Sequence, residues 1–399
     1  MEAEAIRQTF KNLFKNIEGE NHEKFAARMA FCLLADQGLV PEIGYYRNAL
    51  KEAETAETEL NALNSMFDHV WDVLHLSLFS GGCEMPDLSE TVSEVKLIFG
   101  MDWTDESPVA LGTAVECAMK RDERRKKGAF YTGEEDIMLI LNPLLLDDLE
   151  KEQCGIISDV DAEDRKARLD ALIGKLSEMS FLDPACGCGA FLVKAYEEMR
   201  TMESACVQAM LQQGVPSRIR MKNFHGIELM ETAAQTAEAA LVLAERRMDR
   251  KLLTHSADSG EADIRNENAL KVTWPAVRFI LGNPPFGGNC TTGSGAKEDM
   301  RRIFNGKKGV LDFSACWYEL ASQEIAKKPD TIAAFLSTSS VCQGEQVYLL
   351  WKRILDRNQE ILFAYRPFNW KSDAAVNCVI VGFGTKDPNR PKYLYDLDG

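Results

Sequence analysis

Histidine is scarce, and its scarcity removes one class of chemistry at once. Only five histidines occur in 399 residues, and no two stand at a ligand spacing such as His-x-x-x-His, so no metal centre is expected. The eleven cysteines lack a framework spacing. Cys186 and Cys188 flank a single glycine, too close for a zinc knuckle, and the set reads as thiols in a reducing compartment. Apolar runs long enough to span a bilayer are missing, and Met1-Glu2-Ala3-Glu4 lacks the positive start of a secretory signal. The expected location is the cytoplasm, with no membrane partner. A basic surplus is missing too: 46 Lys and Arg face 62 Asp and Glu, for a net charge of −16. That excludes a surface built throughout for phosphate contacts. It leaves room for a local basic groove, with the rest of any nucleic-acid surface on a partner or on sequence beyond Gly399.

What is present is ordinary globular composition, 45% hydrophobic and 27% charged, in a chain long enough for two or three domains. Ala5 to Ile17 carries Ile6, Phe10, Leu13, Phe14 and Ile17 at helical spacing, and Phe25–Leu39 and Ala53–Phe79 continue in that style. Residues 1–118 are therefore expected to form an all-helical connector or spacer domain. The run Lys120–Lys127 holds six basic residues, which suits a solvated helix face or contact with DNA backbone. From Gly128 short apolar strands alternate with helical stretches: Met179–Leu182, Phe224–Ile227, Val277–Leu281, Thr331–Leu336, Ile361–Tyr365 and Val376–Phe383. The alternation predicts an α/β fold over residues 119–399, with a mostly parallel, doubly wound sheet. Ligands of such sheets sit beyond the carboxyl ends of the strands.

The motifs fall at those ends. Asp183-Pro184-Ala185-Cys186-Gly187-Cys188-Gly189 closes one strand and opens a helix. Gly187 and Gly189 let the backbone pass close to a ligand, and the helix start offers N–H groups. A phosphate cradle uses the same glycines, but Asp183 would repel phosphate and no Gly-Lys-Ser/Thr follows. An amino group suits it better, such as the α-ammonium of S-adenosylmethionine. Glu228 ends the next strand, where a carboxylate takes ribose hydroxyls. Asn268 follows the third, in reach of a cofactor adenine amine. Upstream, Tyr131-Thr132 suits a methionine carboxylate; Thr132 with Glu135 also suits a capping box.

Gly282-Asn283-Pro284-Pro285-Phe286 is the sharpest signal. Two prolines lock the backbone and remove N–H donors, leaving the Asn283 side-chain oxygen and the Pro284 carbonyl as acceptors beside an aromatic ring. Two acceptors gripping the protons of a planar, conjugated amine would favour a tetrahedral nitrogen able to attack a methyl group. Phe286 would stack the base, and Trp370, beside Lys371 and Ser372, reads as an exposed second stacking partner. Lys297, Arg301, Arg302, Lys307 and Lys308 follow in a loop suited to phosphates.

The order Tyr131-Thr132, Asp183 turn, Asn283-Pro284-Pro285-Phe286 resembles the gamma class of N6-adenine DNA methyltransferases. With Leu311-Asp312-Phe313-Ser314-Ala315-Cys316-Trp317-Tyr318, Ser339–Gln346 and Ala374–Phe383, the chain resembles the MmeI-type single-chain restriction–modification enzymes over about residues 120–399. The resemblance implies a Rossmann-like sheet with an antiparallel final strand and S-adenosylmethionine as cofactor, S-adenosylhomocysteine as product. It implies a cofactor set of Tyr131, Thr132, Asp183, Ala185, Gly187, Gly189, Glu228 and Asn268, and a catalytic set of Asn283, Pro284, Pro285 and Phe286. Double-stranded DNA is the implied partner, read through a flipped adenine. The family's N-terminal nuclease and C-terminal target-recognition domain have no counterpart in residues 1–399, so the expectation is either a fragment of a longer chain that lacks them or one part of a split system with a separate partner. Enzymes methylating a protein glutamine or an rRNA guanine amine share the Asn-Pro-Pro-aromatic motif, and a non-catalytic subunit that binds S-adenosylmethionine is a further alternative.

Overall fold

The computed structural model describes residues 3–397 except 17–21, 36–39, 41–42, 82–84, 88–91, 102, 104–105, 121–131, 162, 257–259, 287–293, 307–309 and 371–375. The chain forms two compact units. One holds residues 1–131, 187–197 and 230–255; the other holds 132–186, 198–229 and 256–399.

The first unit is helical. It contains α1 (Ala3–Asn16), α2 (Glu23–Ala35), α3 (Ile43–Glu52), α4 (Ala56–Leu74), α5 (Val92–Gly100) and α6 (Ala110–Ala118). The apolar stripe of α1 explains its place, because Phe10 and Leu13 are fully buried. Phe10 stands edge-on to Trp103 at 6.1 Å, and Phe25, Phe67 and Phe79 continue the aromatic core at 6.2 and 5.9 Å. Thr55 starts α4 three residues later than the periodicity suggests. Its side chain accepts from the Thr58 N–H in a capping box, and that fixes the boundary. Buried Arg28 is satisfied by carbonyls, donating Nε to Leu78 O at 2.9 Å and Nη2 to Gly81 O at 3.0 Å.

The second unit carries the sheet. Its strands are β1 (Phe181–Asp183), β2 (Phe224–Glu228), β3 (Asp263–Asn266), β4 (Phe279–Gly282), β5 (Ile332–Thr338), β6 (Gln359–Tyr365), β7 (Phe368–Asn369), β8 (Asn377–Thr385) and β9 (Tyr393–Tyr395). The order is β3-β2-β1-β4-β5-β8-β6-β9, with β7 pairing β8. The pairs from β3 to β5 are parallel, and β8 lies antiparallel between β5 and β6. Every strand read from the sequence is present, shifted by one or two residues at its ends. The short apolar runs suit strands covered on both faces. Phe181 is register-matched to Phe224 and Phe279, and its ring stacks on both at 4.9 and 5.4 Å. Leu182, Ile280, Phe335, Val381 and Phe383 join Trp317, Tyr318 and Trp351 in the main core cluster.

The chain runs β1→β2→β3 to one side of β1 and β4→β5 to the other, so the strand order reverses between β1 and β4. That reversal is where open α/β sheets leave a crevice at the carboxyl ends. Among the described residues, no helix is long and apolar enough to cross a membrane.

Candidate active site

Two tips meet at the reversal. β1 ends on Asp183 and β4 on Gly282, one residue before Asn283. Gly282 has φ +147, and a Cβ there would stand 2.9 Å from the Asp183 Cγ. Glycine is thus required twice, by conformation and by the carboxyl packed against it. Asp183 is 1% exposed. Burial pushes its carboxyl up to about 8; the Ala185 N–H opposes the shift and the like charge of Glu228 adds to it.

That shift has a sign. The folded protein keeps a proton on Asp183 that the unfolded chain releases near pH ~4. The folded state therefore binds more protons between these values, and stability falls as pH rises from about 4 to about 8. The urea midpoint of the cofactor-free protein should decline over this range, with Asp183→Asn flattening part of the slope. Parallel slopes in the two proteins would count against a buried, proton-holding Asp183.

Three acidic or amide side chains near the strand ends share one local device. Asp183 Oδ1 accepts from Ala185 N–H at 3.0 Å, Asn268 Oδ1 from Leu270 N–H at 2.9 Å, and Asp312 Oδ1 from Ser314 N–H at 3.2 Å. In each, the side chain bonds the backbone two residues on. Asn283 cannot do this, because the residue two positions on is Pro285, which has no N–H. Its Oδ1 is buried and has no hydrogen-bond partner among the described residues. A buried acceptor left open costs about 1–3 kcal/mol, so natural folds keep few of them. Its Nδ2 donates to Thr132 Oγ1 at 3.1 Å.

Three residues after Asn283 comes an aromatic pair. Phe286 is partly exposed and meets the edge of Trp370 with ring centroids 5.6 Å apart and planes at 67°. Trp370 Nε1 donates to Asp136 Oδ2 at 2.8 Å, in α7 (Glu134–Leu141). The β1 turn is held from two sides. Cys186 N–H donates to Ile227 O at 3.2 Å, and the Trp317 Nε1 donates to Pro184 O at 2.9 Å. Gly187 (φ +52) and Gly189 (φ +85) both need the left-handed region, and a Cβ on Gly187 would meet nothing within 4 Å. A Cβ on Gly189 would lie 3.0 Å from the Ala237 Cβ in the helix Glu231–Leu252.

The family described as MmeI, DNA-methyltransferase domain matches residues 160–396. The chain belongs to that family. DNA methyltransferase A of Bacillus subtilis (strain 168) is 30% identical over 420 residues, covering 93% of this chain and 46% of that protein. The type I restriction enzyme MjaVII methylase subunit of Methanocaldococcus jannaschii is 23% identical over 376 residues, covering 89% of this chain and 55% of that one. Among solved structures, the type IIL restriction–modification enzyme MmeI in complex with DNA aligns with a TM-score of 0.84 and 30% identity, over all of this chain and 59% of that one. The chain spans about half the length of the curated relatives it matches.

Within this MmeI-family core, several residues sit differently from the sequence-based expectation. Trp370 is 4% exposed, not solvent-facing; its indole is tied to Asp136 and backs Phe286. Thr132 is no helix cap. Gly133 occupies the N-cap with no side-chain bond, and the Thr132 hydroxyl serves Asn283 instead. Lys297, Arg301 and Arg302 lie on a helix, Ser294–Ile303, not in a loop. Arg302 donates to the carbonyl of Leu270 and pairs with Asp299 at 3.3 Å, with its side chain still half exposed. Tyr131, Lys307, Lys308 and most of the run Lys120–Lys127 lie outside the described residues. Glu228 ends β2, and Asn268 lies two residues beyond the end of β3. Asn268 also donates Nδ2 to buried Asp299 at 3.2 Å, which ties the β3 tip to the helix after Asn283-Pro284-Pro285-Phe286. Sequence reading missed Asn266, whose Nδ2 bridges the Glu228 and Leu229 carbonyls at 3.0 Å each, and Trp317 under the β1 turn. Trp317 lies inside a quoted family motif, but its contact is 133 residues away in sequence and carries no local signal.

Proposed function

We propose that this chain transfers a methyl group from S-adenosylmethionine to the exocyclic N6 of a flipped adenine in double-stranded DNA, as the methyltransferase part of a restriction–modification system. The observation that carries the reading is the open Asn283 Oδ1, buried at the strand reversal three residues before an aromatic pair. In this reading residues 1–118 act as the connector and 119–399 as the transferase core.

The residues present fit the cofactor. Asp183, held next to Gly282 and close in charge to Glu228, suits an ammonium group, whose arrival would draw off the carboxyl proton. Glu228 suits the ribose hydroxyls, Asn268 the adenine amine, and Thr132 with Tyr131 the carboxylate. The open space at Gly187 and the backbone of Ala185 and Gly189 suit close passage of the methionine chain. S-adenosylmethionine supplies, when bound, a methyl group on a positively charged sulfur. Asn283 Oδ1 and the Pro284 carbonyl accept the two amine protons of adenine, favouring a tetrahedral nitrogen whose lone pair is no longer delocalised into the ring. Phe286, backed by Trp370, takes the face of the base, which leaves the duplex stack to reach the site.

The test is mass spectrometry of nucleosides from plasmid DNA incubated with the protein and S-adenosylmethionine. N6-methyladenine is expected. Methyl groups found only on a release-factor glutamine or on rRNA, offered in parallel, would sink the adenine reading. A second expectation concerns Pro285. Pro285→Ala restores an N–H two residues after Asn283, which can capture Oδ1 as at Asp183 and Asn268. Methyl transfer should fall about tenfold with folding intact, the worth of one hydrogen bond diverted from the substrate. Unchanged turnover in this variant would remove the prolines' donor-free backbone from the mechanism.

A further inference from the structure

The Asn283 carboxamide has two ends of one shape and opposite polarity. Oδ1 accepts and Nδ2 donates, and a half-turn of the amide exchanges them. Reversed, it would offer the target amine more N–H groups and no acceptor. Sterics do not distinguish the two states; hydrogen-bond partners do. The backbone supplies none on the Oδ1 side, for the reason given by Pro285. The other end meets Thr132 Oγ1 at 3.1 Å, and Thr132 is 5% exposed. A hydroxyl, however, accepts or donates. It fixes the amide only when its own proton is committed elsewhere, and no hydrogen bond among the described residues takes that proton.

We propose that Thr132 is a positioning residue that relays cofactor occupancy to the polarity of the catalytic amide. This rests on the methyltransferase reading, in which the carboxylate of the cofactor lies on Thr132. With its proton given to that carboxylate, the hydroxyl oxygen can only accept. Nδ2 is then its donor, and Oδ1 is turned to the base. Without the carboxylate the amide holds either polarity. The order of events follows: the cofactor binds, the amide is set, and only then does the pocket discriminate an amine from its absence. The segment works at both ends, since Asp136, four residues on, holds the indole behind Phe286.

The experiment is NMR of the whole chain labelled with 15N at asparagine, with the Asn283 carboxamide signal identified by its loss in Asn283→Ala. Saturating S-adenosylhomocysteine should slow solvent exchange of one Asn283 amide proton at least tenfold. Thr132→Ser should keep that protection and Thr132→Val should lose it while still binding S-adenosylhomocysteine by calorimetry. At saturating cofactor, Thr132→Val should also lower kcat about tenfold, and Thr132→Ser should stay near wild type. Equal protection in Thr132→Val, or no protection on adding S-adenosylhomocysteine, overturns the relay. A wild-type chain that shows the protection pattern but methylates nothing keeps the relay and discards the adenine reading. A chain that methylates adenine without the pattern does the reverse.

Discussion

Asn283→Ala is expected to lower kcat by about two to three orders of magnitude while leaving cofactor affinity within about threefold. The size comes from the cost of removing one preorganised hydrogen-bonding group from a developing charge, about 10²–10³ in rate. The direction comes from the structure. Asn283 Oδ1 is the buried acceptor of the motif that no backbone N–H takes up, so its free energy is available to a substrate amine. Its other end donates to Thr132, and the β1 turn that would hold the cofactor is built by other bonds, from Ala185, Cys186 and Trp317. Truncation should thus remove the chemistry and spare the binding. Turnover of plasmid DNA and calorimetry with S-adenosylhomocysteine separate the two. A variant within threefold of wild type in kcat would show that Asn283 does not act on the reacting nitrogen.

Gly282→Ala is expected to damage stability and cofactor binding together. Two costs coincide there. The backbone at φ +147 is open to glycine and strained for any other residue by about 1–3 kcal/mol. The new Cβ would also press on the Asp183 carboxyl, with the Asp183 Cγ at 2.9 Å. Asp183 has no slack to give, being 1% exposed and bonded to its own turn. Overpacking of this kind costs a further ~1–3 kcal/mol. A loss of about 3 kcal/mol in urea unfolding is expected, with at least tenfold weaker binding of S-adenosylhomocysteine because Asp183 must move. An alanine variant with wild-type stability and wild-type cofactor affinity would mean that the two strand tips are not in contact.

The legible part of this chain was the part written locally. Asp183, Glu228 and Asn283 announce themselves because each ends a short apolar run, and the strand order then brings the tips into line. The donor-free backbone of Pro284 and Pro285 is visible in the letters alone. What the letters hide is tertiary. Trp370 reads as exposed because Lys371 and Ser372 follow it, yet its N–H pairs with the Val376 carbonyl as β7 folds onto β8, and its indole reaches Asp136 across 234 residues. Thr132 and Glu135 match a capping pattern, but glycine took the cap, because the hydroxyl had a stronger claim on it in Asn283. β7, at two residues, is too short for any periodicity to register. The basic side chains after Phe286 read as a phosphate-binding loop, since charge alone gives no hint of the helix that carries Lys297, Arg301 and Arg302.

The donor-free turn after β4 also bears on how such a protein responds to selection. An acceptor kept open holds the fold about 1–3 kcal/mol below the stability it would have with that bond made. Most residues other than proline at 285 would offer the missing N–H, and losing the proline ring costs only about 0.4–1 kcal/mol through the unfolded chain. A library screened for heat resistance alone would therefore gather survivors at Pro285, and those survivors would be the slower ones. Stability and turnover pull in opposite directions at this position, so a thermostabilising programme should hold residue 285 fixed and look for its gains among the helices of residues 1–118.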